Sequence, residues 1–197
     1  IVFSVCTNRI YKEVLDYNKD FPFIDYIVSL NGSYVYEVSS GKCLFKNKLT
    51  KSNINKIKTI FEDYKIKYYS IDKVYKTYTE EIEVYKIEIE IKDEKELDKL
   101  TKLNVNKSIL VKDNKKYLEI TSSRSNMFNG VDKVSIKTGI NLNEVLTITS
   151  NDSDVSLVNN IKNSYIMTNC CDTLKMSNAK KTTTNDSKGV EKVLKTL

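Results

Sequence analysis

The chain has no histidine and no tryptophan, a single proline, five glycines and four cysteines among its 197 residues. Without an imidazole, the usual zinc constellations and every histidine-dependent catalytic triad are excluded. Cys6, Cys43, Cys170 and Cys171 form no Cys-x-x-Cys spacing, and the adjacent pair cannot close an ordinary unstrained disulfide. Cysteines used this way suit a reducing compartment, so a cytoplasmic location is expected. No window approaches the roughly 18–20 apolar residues of a membrane span. No signal-peptide pattern is visible, although a start at Ile1 leaves the natural N-terminus open. Nor is there a block of one charge, because the formal +6 is spread over a lysine-rich surface. A nucleic-acid footprint would need clustering, so neither nucleic acid nor membrane is expected as a partner.

What is present suffices for a core. A hydrophobic share of 40% and a charged share of 29% fit one large domain, or a core with a small inserted one. Ile1 to Cys6 reads as a buried strand ending at Thr7-Asn8-Arg9. The spacing predicts a helix over 9–18, a break at Phe21-Pro22-Phe23, and a strand at 26–30. The Asn31-Gly32 turn and a strand at 34–36 follow.

From Lys42 to Lys46 a different rhythm begins. Ile54, Ile57, Ile60, Phe61 and Tyr64 mark an amphipathic helix with Ser52 as its expected cap, and a strand at 66–71 follows. Tyr85, Ile87, Ile89 and Ile91 alternate with Lys86, Glu88 and Glu90, which predicts a sheet with one face in water. Asp93 and Glu96 resemble a capping box ahead of Leu97, Leu100 and Leu103. Strands over 108–111 and 117–121 flank an Asp113-Asn114 turn. The order β-α-β-β-α-β predicts a small ferredoxin-like unit.

From about Asn126 the parallel rhythm returns, with a helix to Thr138 ended by Gly139 and a strand at 145–148. A helix over 154–161, a strand at 164–167, a polar linker over 180–188 and a helix over 188–197 complete the chain. The expected fold class is α/β: a parallel core made of residues 1–39 and 119–197, with an α+β unit inserted at 40–118.

Two strands that end in hydroxyl, basic or acidic side chains point to a site at strand C-termini. With the segments around them, the chain resembles the haloacid dehalogenase (HAD) superfamily, in particular its Cof-type (HAD-IIB) phosphatases. Thr7 and Arg9 match a Thr-Gly-Arg motif from which Asn8 departs, and Asn31-Gly32-Ser33 resembles Asn-Gly-Ala. The segment from Tyr165 to Cys170 resembles hydrophobic-Ala-Met-Gly-Asn-Ala, and that from Asn185 to Val190 resembles Asn-Asp-Glu-Asp-Gly-Val. The resemblance implies a Rossmann-like core whose first strand is missing here, with the inserted unit as a cap over the site. It implies a small phosphorylated metabolite as ligand, held by Thr7, Asn8 and Arg9, and Mg2+ as cofactor.

The same alignment exposes losses. The family's first strand ends in Asp-x-Asp, nucleophile and acid/base, and no such pair closes a strand near the start of this chain. The motif lysine falls on Met127 when counted back from Gly139 without gaps, or on Lys133 if a turn of helix is deleted. Opposite the Mg2+ motif Gly-Asp-x-x-Asn-Asp stand Thr149 to Asp154, with Asp154 retained and Asp152 as a neighbouring candidate. Thr7 is open between a phosphate donor and a helix N-cap. Asp152 and Asp154 are open between metal ligands and acids complementing a helix dipole. The expected function is that of a Mg2+-dependent hydrolase of small phosphate esters, inactive on these residues, or else a catalytically degenerate binding or interaction protein. A missing central strand would leave unpaired edges and favour self-association.

Overall fold

Branched and aromatic residues near the start pair in parallel: β1 (Ser4–Cys6) lies against β2 (Tyr26–Ser29), with Val5 opposite Ile27. The computed structural model describes residues 1–20 and 22–196. Phe21 of the predicted helix break and Leu197 of the predicted terminal helix lie outside the described residues. Helix α1 (Tyr11–Asp20) connects the two strands and buries Val14 with Ile24 and Ile27. Two antiparallel strands follow, β3 (Tyr34–Glu37) and β4 (Lys42–Lys46), and the sheet order is β1-β2-β3-β4. Gly41, with φ +67, helps return the chain directly onto β3.

A second sheet carries the polar–apolar alternation. Helix α2 (Lys51–Ile60) is capped by Thr50, whose hydroxyl accepts from the Asn53 amide. Ser52, the predicted cap, lies inside the first turn. Then come β5 (Ile66–Tyr69), β6 (Val74–Tyr75), β7 (Lys86–Ile91), β8 (Val105–Lys112) and β9 (Lys115–Ser122). They form an antiparallel sheet in the order β6-β5-β7-β9-β8. Ile87, Ile89, Leu118 and Ile120 bury one face with Ile54, Ile57 and Phe61, and with Leu100 of a 3-10 segment, Glu94–Leu100. Asp93 caps that segment through the Lys95 amide, while Glu96 bonds Tyr64 and Lys99, so the predicted capping box does not form. The predicted ferredoxin-like order fails too, because its opening strand, Lys42–Lys46, is β4 of the first sheet.

The centre of the other face of this sheet is not in water. Lys86 is 1% exposed, Glu88 7% and Glu119 2%. Register sets Lys67, Glu88, Glu119 and Ser108 in one cross-strand row, and Tyr69, Lys86, Thr121 and Asn106 in the next. Helix α3 (Met127–Thr138) follows, ended as predicted by left-handed Gly139. It packs close on β2: a Cβ on Gly130 would lie 2.3 Å from Val28 Cγ1.

The chain divides into two compact units, Ile1–Val134 and Ser135–Leu197. In the second, β10 (Leu146–Thr149), β11 (Asn163–Met167) and β12 (Lys180–Thr182) form a parallel sheet in that order. α4 (Val155–Asn160) and the single turn α5 (Asp172–Lys175) make the connections, and α6 (Gly189–Leu194) follows. β12 falls in the stretch read as a linker. As an end strand it pairs on one side only, and needs no apolar alternation to do so. Ile166, Cys170 and Leu174 form this unit's buried cluster. No helix among the described residues is long and apolar enough to cross a membrane.

Candidate functional site

β1 delivers Thr7 to its C-terminal end. The Thr7 amide donates to Val28 O at 2.9 Å, and the Thr7 hydroxyl accepts from the Arg9 amide at 3.1 Å. This closes a local turn, and α1 begins only at Tyr11, so Thr7 does not cap that helix. A hydroxyl that accepts one bond still has its proton to donate, which is the chemistry a phosphoryl oxygen needs. Arg9 is exposed and paired with Glu13 at 3.0 Å.

Against this loop sits the turn between β2 and β3. Leu30, Asn31 and Gly32 all have positive φ, at 51°, 54° and 82°. Each non-glycine residue held there costs about 1–3 kcal/mol, so surrounding contacts must fix the turn. They are visible: Leu30 N donates to Arg9 O at 3.1 Å, Asn31 N donates to Thr7 O at 3.2 Å, and Leu30 is buried with Tyr34 and Tyr85. A Cβ on Gly32 would lie 1.9 Å from the Asn126 carbonyl oxygen. Only glycine admits that approach.

α3 therefore starts beside this turn, and its first residue is buried Met127. Lys133, the alternative lysine, lies further along the helix. Its ammonium is 3.5 Å from Asp132 and 5.9 Å from the centre of the Phe45 ring on β4. The residue placed at the turn carries no charge.

Facing both loops is the buried polar side of the second sheet. Lys86 Nζ lies 2.6 Å from Glu119 Oε1, donates to Asn8 O at 2.8 Å, and stands 4.2 Å from the centre of the Tyr69 ring. Asn8 Nδ2 donates to Glu119 Oε1 at 3.2 Å, and Asn31 Nδ2 donates to Glu119 Oε2 at 3.0 Å and Ser108 Oγ at 3.4 Å. Glu88, directly across from Glu119, is held by Lys67 at 2.7 Å and the Tyr69 hydroxyl at 2.9 Å. Burial, then the Glu88 charge, push the Tyr69 hydroxyl far above its ordinary pKa. Sequence reasoning missed Lys86, Glu88 and Glu119 because alternating charges read as a wet face. The β7–β9 register that joins them crosses a long connection.

The loop after β10, in the second unit, turns inward. Asp154 Oδ2 accepts from the Thr149 hydroxyl and from the Asn151 amide at 3.2 Å, and Oδ1 from Ser153 Oγ at 3.4 Å. Burial raises the pKa of this carboxyl, with the Thr149 hydroxyl and the Asn151 and Ser150 amides pulling the other way. Asp152 is half-buried in the same 3-10 turn, Asp152–Asp154, at the start of α4. Mg2+ wants several oxygen ligands in near-octahedral geometry. Here both oxygens of the retained carboxylate are engaged by their own loop, and its pKa is raised. No group of three or more acidic, His or Cys side chains among the described residues could hold a metal. These residues do not fit Mg2+.

The model of the haloacid dehalogenase-like hydrolases matches residues 1–97 and 69–194. Among solved structures, a HAD subclass IIB sugar phosphatase is similar at TM-score 0.86 and 15% identity, over 99% of this chain and 85% of that one. A haloacid dehalogenase-like hydrolase from B. subtilis is similar at 0.86 and 14%, over 100% and 88%. A phosphatase of the same superfamily from Bacteroides thetaiotaomicron is similar at 0.83 and 14%, over 99% and 81%. None of the curated proteins matches the chain. At these identities the structures speak for the fold, a Rossmann-like α/β core with a cap, and the family model speaks for descent. The chain belongs to the haloacid dehalogenase-like hydrolase family.

Proposed function

We propose that this chain keeps its family's ligand class, small phosphate esters such as sugar phosphates, and does not hydrolyse them on these 197 residues alone. The observation that carries this is the Asp154 carboxylate, engaged by Thr149, Asn151 and Ser153 of its own loop. Members of the family generally use Mg2+, and this donor set does not suit it. Two further losses support the reading. No Asp-x-Asp pair closes an early strand, and Met127 brings no charge to the start of α3. Without a nucleophile the covalent route is closed whatever else survives.

Binding is a lesser demand. The Thr7 hydroxyl donates to a phosphoryl oxygen, Asn8 shapes the loop, and Arg9 exchanges Glu13 for the phosphate. An exposed ion pair such as Arg9–Glu13 contributes only about 0–1 kcal/mol, so the exchange is easy. The cap, expected near residues 40–118 between core segments 1–39 and 119–197, is on this reading the five-stranded sheet with its helices: β4 stays with the first sheet, and β9 carries the cap through Glu119 to Ser122. Cysteines that form no disulfide among the described residues support a cytoplasmic setting.

The test is a panel of sugar phosphates and an aryl phosphate, with and without Mg2+. No metal-dependent turnover is expected. Turnover that needs Mg2+ and vanishes in Asp154→Ala would overturn the reading. β1 and β10 are end strands of their sheets, so concentration-dependent self-association is also expected. A single monomer boundary in sedimentation velocity at all concentrations would contradict that.

A further inference from the structure

The buried polar face of the second sheet makes joints where the family pattern has none to make. Asn8 stands where a glycine has no side chain, and its amide donates to Glu119. Ser33 stands where an alanine has no hydroxyl, and its buried Oγ donates to Tyr85 O at 3.0 Å. Asn31 donates to the second Glu119 oxygen, and Lys86 reaches back to the Asn8 carbonyl. Both oxygens of one carboxylate therefore hold two separate loops of the first sheet, and the counter-charge of that carboxylate holds one of them a second time.

We propose that Lys86 and Glu119 form a clamp that fixes the cap on the Thr7–Arg9 loop and the Leu30–Gly32 turn, making the cap a fixed lid that positions these loops. The physical argument is the burial of the pair. Lys86 and Glu119 side chains are each 2% exposed, so moving the cap away would strip an ion pair of its partners in one step. Lys86 and Glu119, on adjacent strands of the cap sheet, stay paired as it moves; what is lost together is three hydrogen bonds to charged groups, the stronger class of hydrogen bond. The strained turn adds a second constraint. Three successive positive φ values persist only while neighbours hold them, and the Asn31 side chain is held from the cap. The proposal rests on the phosphate-binding reading above only for what the clamp governs, which is access to Thr7.

Hydrogen exchange on the full chain tests it. The reporters are the Leu30 and Asn31 amides, which donate to Arg9 O and Thr7 O, and the cap-interior amides of β7 and β9. In Lys86→Met, exchange at Leu30 and Asn31 should rise roughly a hundredfold or more while the β7 and β9 amides stay protected. Asn31→Asp, which keeps the cap intact and sets a negative charge against Glu119, should do the same. It serves if the first variant does not fold. Lys115→Met, in the exposed pair with Glu90 on the same sheet face, should leave both sets unchanged. Unchanged loop exchange in Asn31→Asp, or equal acceleration of loop and cap amides, would overturn the clamp. No phosphate enters this measurement, so its result is independent of the binding reading. Titrating orthophosphate against the Thr7–Arg9 resonances tests that reading separately.

Discussion

The loop after β1 and the loop after β10 begin alike, with a threonine at the end of a parallel strand, and then diverge. Thr7 leads to Asn8, whose carbonyl and amide meet Lys86 and Glu119, residues 78 and 111 positions away. Thr149 bonds Asp154, five positions away. The Asn8 side chain of the first loop is held by a distant partner, and the Asp154 side chain of the second by its own loop, whose backbone the Cys171 amide also holds through Ser150 O at 3.0 Å. A strand-end position therefore does not fix what its side chains do. Where a second sheet presents complementary charge, as at Asn8, the loop becomes a joint; the Asp154 carboxylate is instead satisfied from within its own loop. Resemblance of letters at both places conceals this difference.

Three substitutions test the contrast. Glu119→Ala removes the shared acceptor and leaves Lys86 buried without its counter-charge. A loss of about 3–5 kcal/mol is expected in urea unfolding. A loss under about 1 kcal/mol would mean that the first loop is as self-sufficient as the second. Gly32→Ala comes next. Its Cβ would meet the Asn126 carbonyl from a left-handed backbone, so a loss of about 2–4 kcal/mol is expected. A stable variant with unchanged exchange at Asn31 would show that the turn yields.

Asp154→Asn is the smallest, and sharpens the second loop. Burial raises the folded-state pKa of Asp154 above its unfolded value, so its stabilising contribution is complete below the unfolded value and lost as pH rises through the folded one. The wild type should therefore gain on Asp154→Asn as pH falls from neutral into the acid range, measured as the difference in unfolding midpoints. A difference independent of pH would show that the carboxyl is not perturbed.

Much of the frame was legible. Strand β2, the turn after it, the β8–β9 hairpin and the left-handed stop at Gly139 depend on near neighbours, and local pattern finds them. The failures have a different physical origin. Alternation in β7 shows which residues share a face, and is silent on whether water or protein covers it. Thr50 and Ser52 are both hydroxyl residues, and only the backbone, extended at Thr50, decides which one caps α2. Thr7 could be placed at a strand end from its own segment. Lys86 and Glu119, 33 positions apart, become a pair only through sheet register.

The tie between Asn8 and Glu119 also sets a clock. A ribosome adds roughly 5–20 residues per second, so the 111 positions between them take roughly 5–20 seconds to make. Through that interval the strand β1 has only β2 to settle on, and the left-handed turn at Leu30 and Asn31 is held by its amides on Arg9 O and Thr7 O without the side-chain tie to Glu119. The loop at Asn8 therefore receives its last ties long after it has been made.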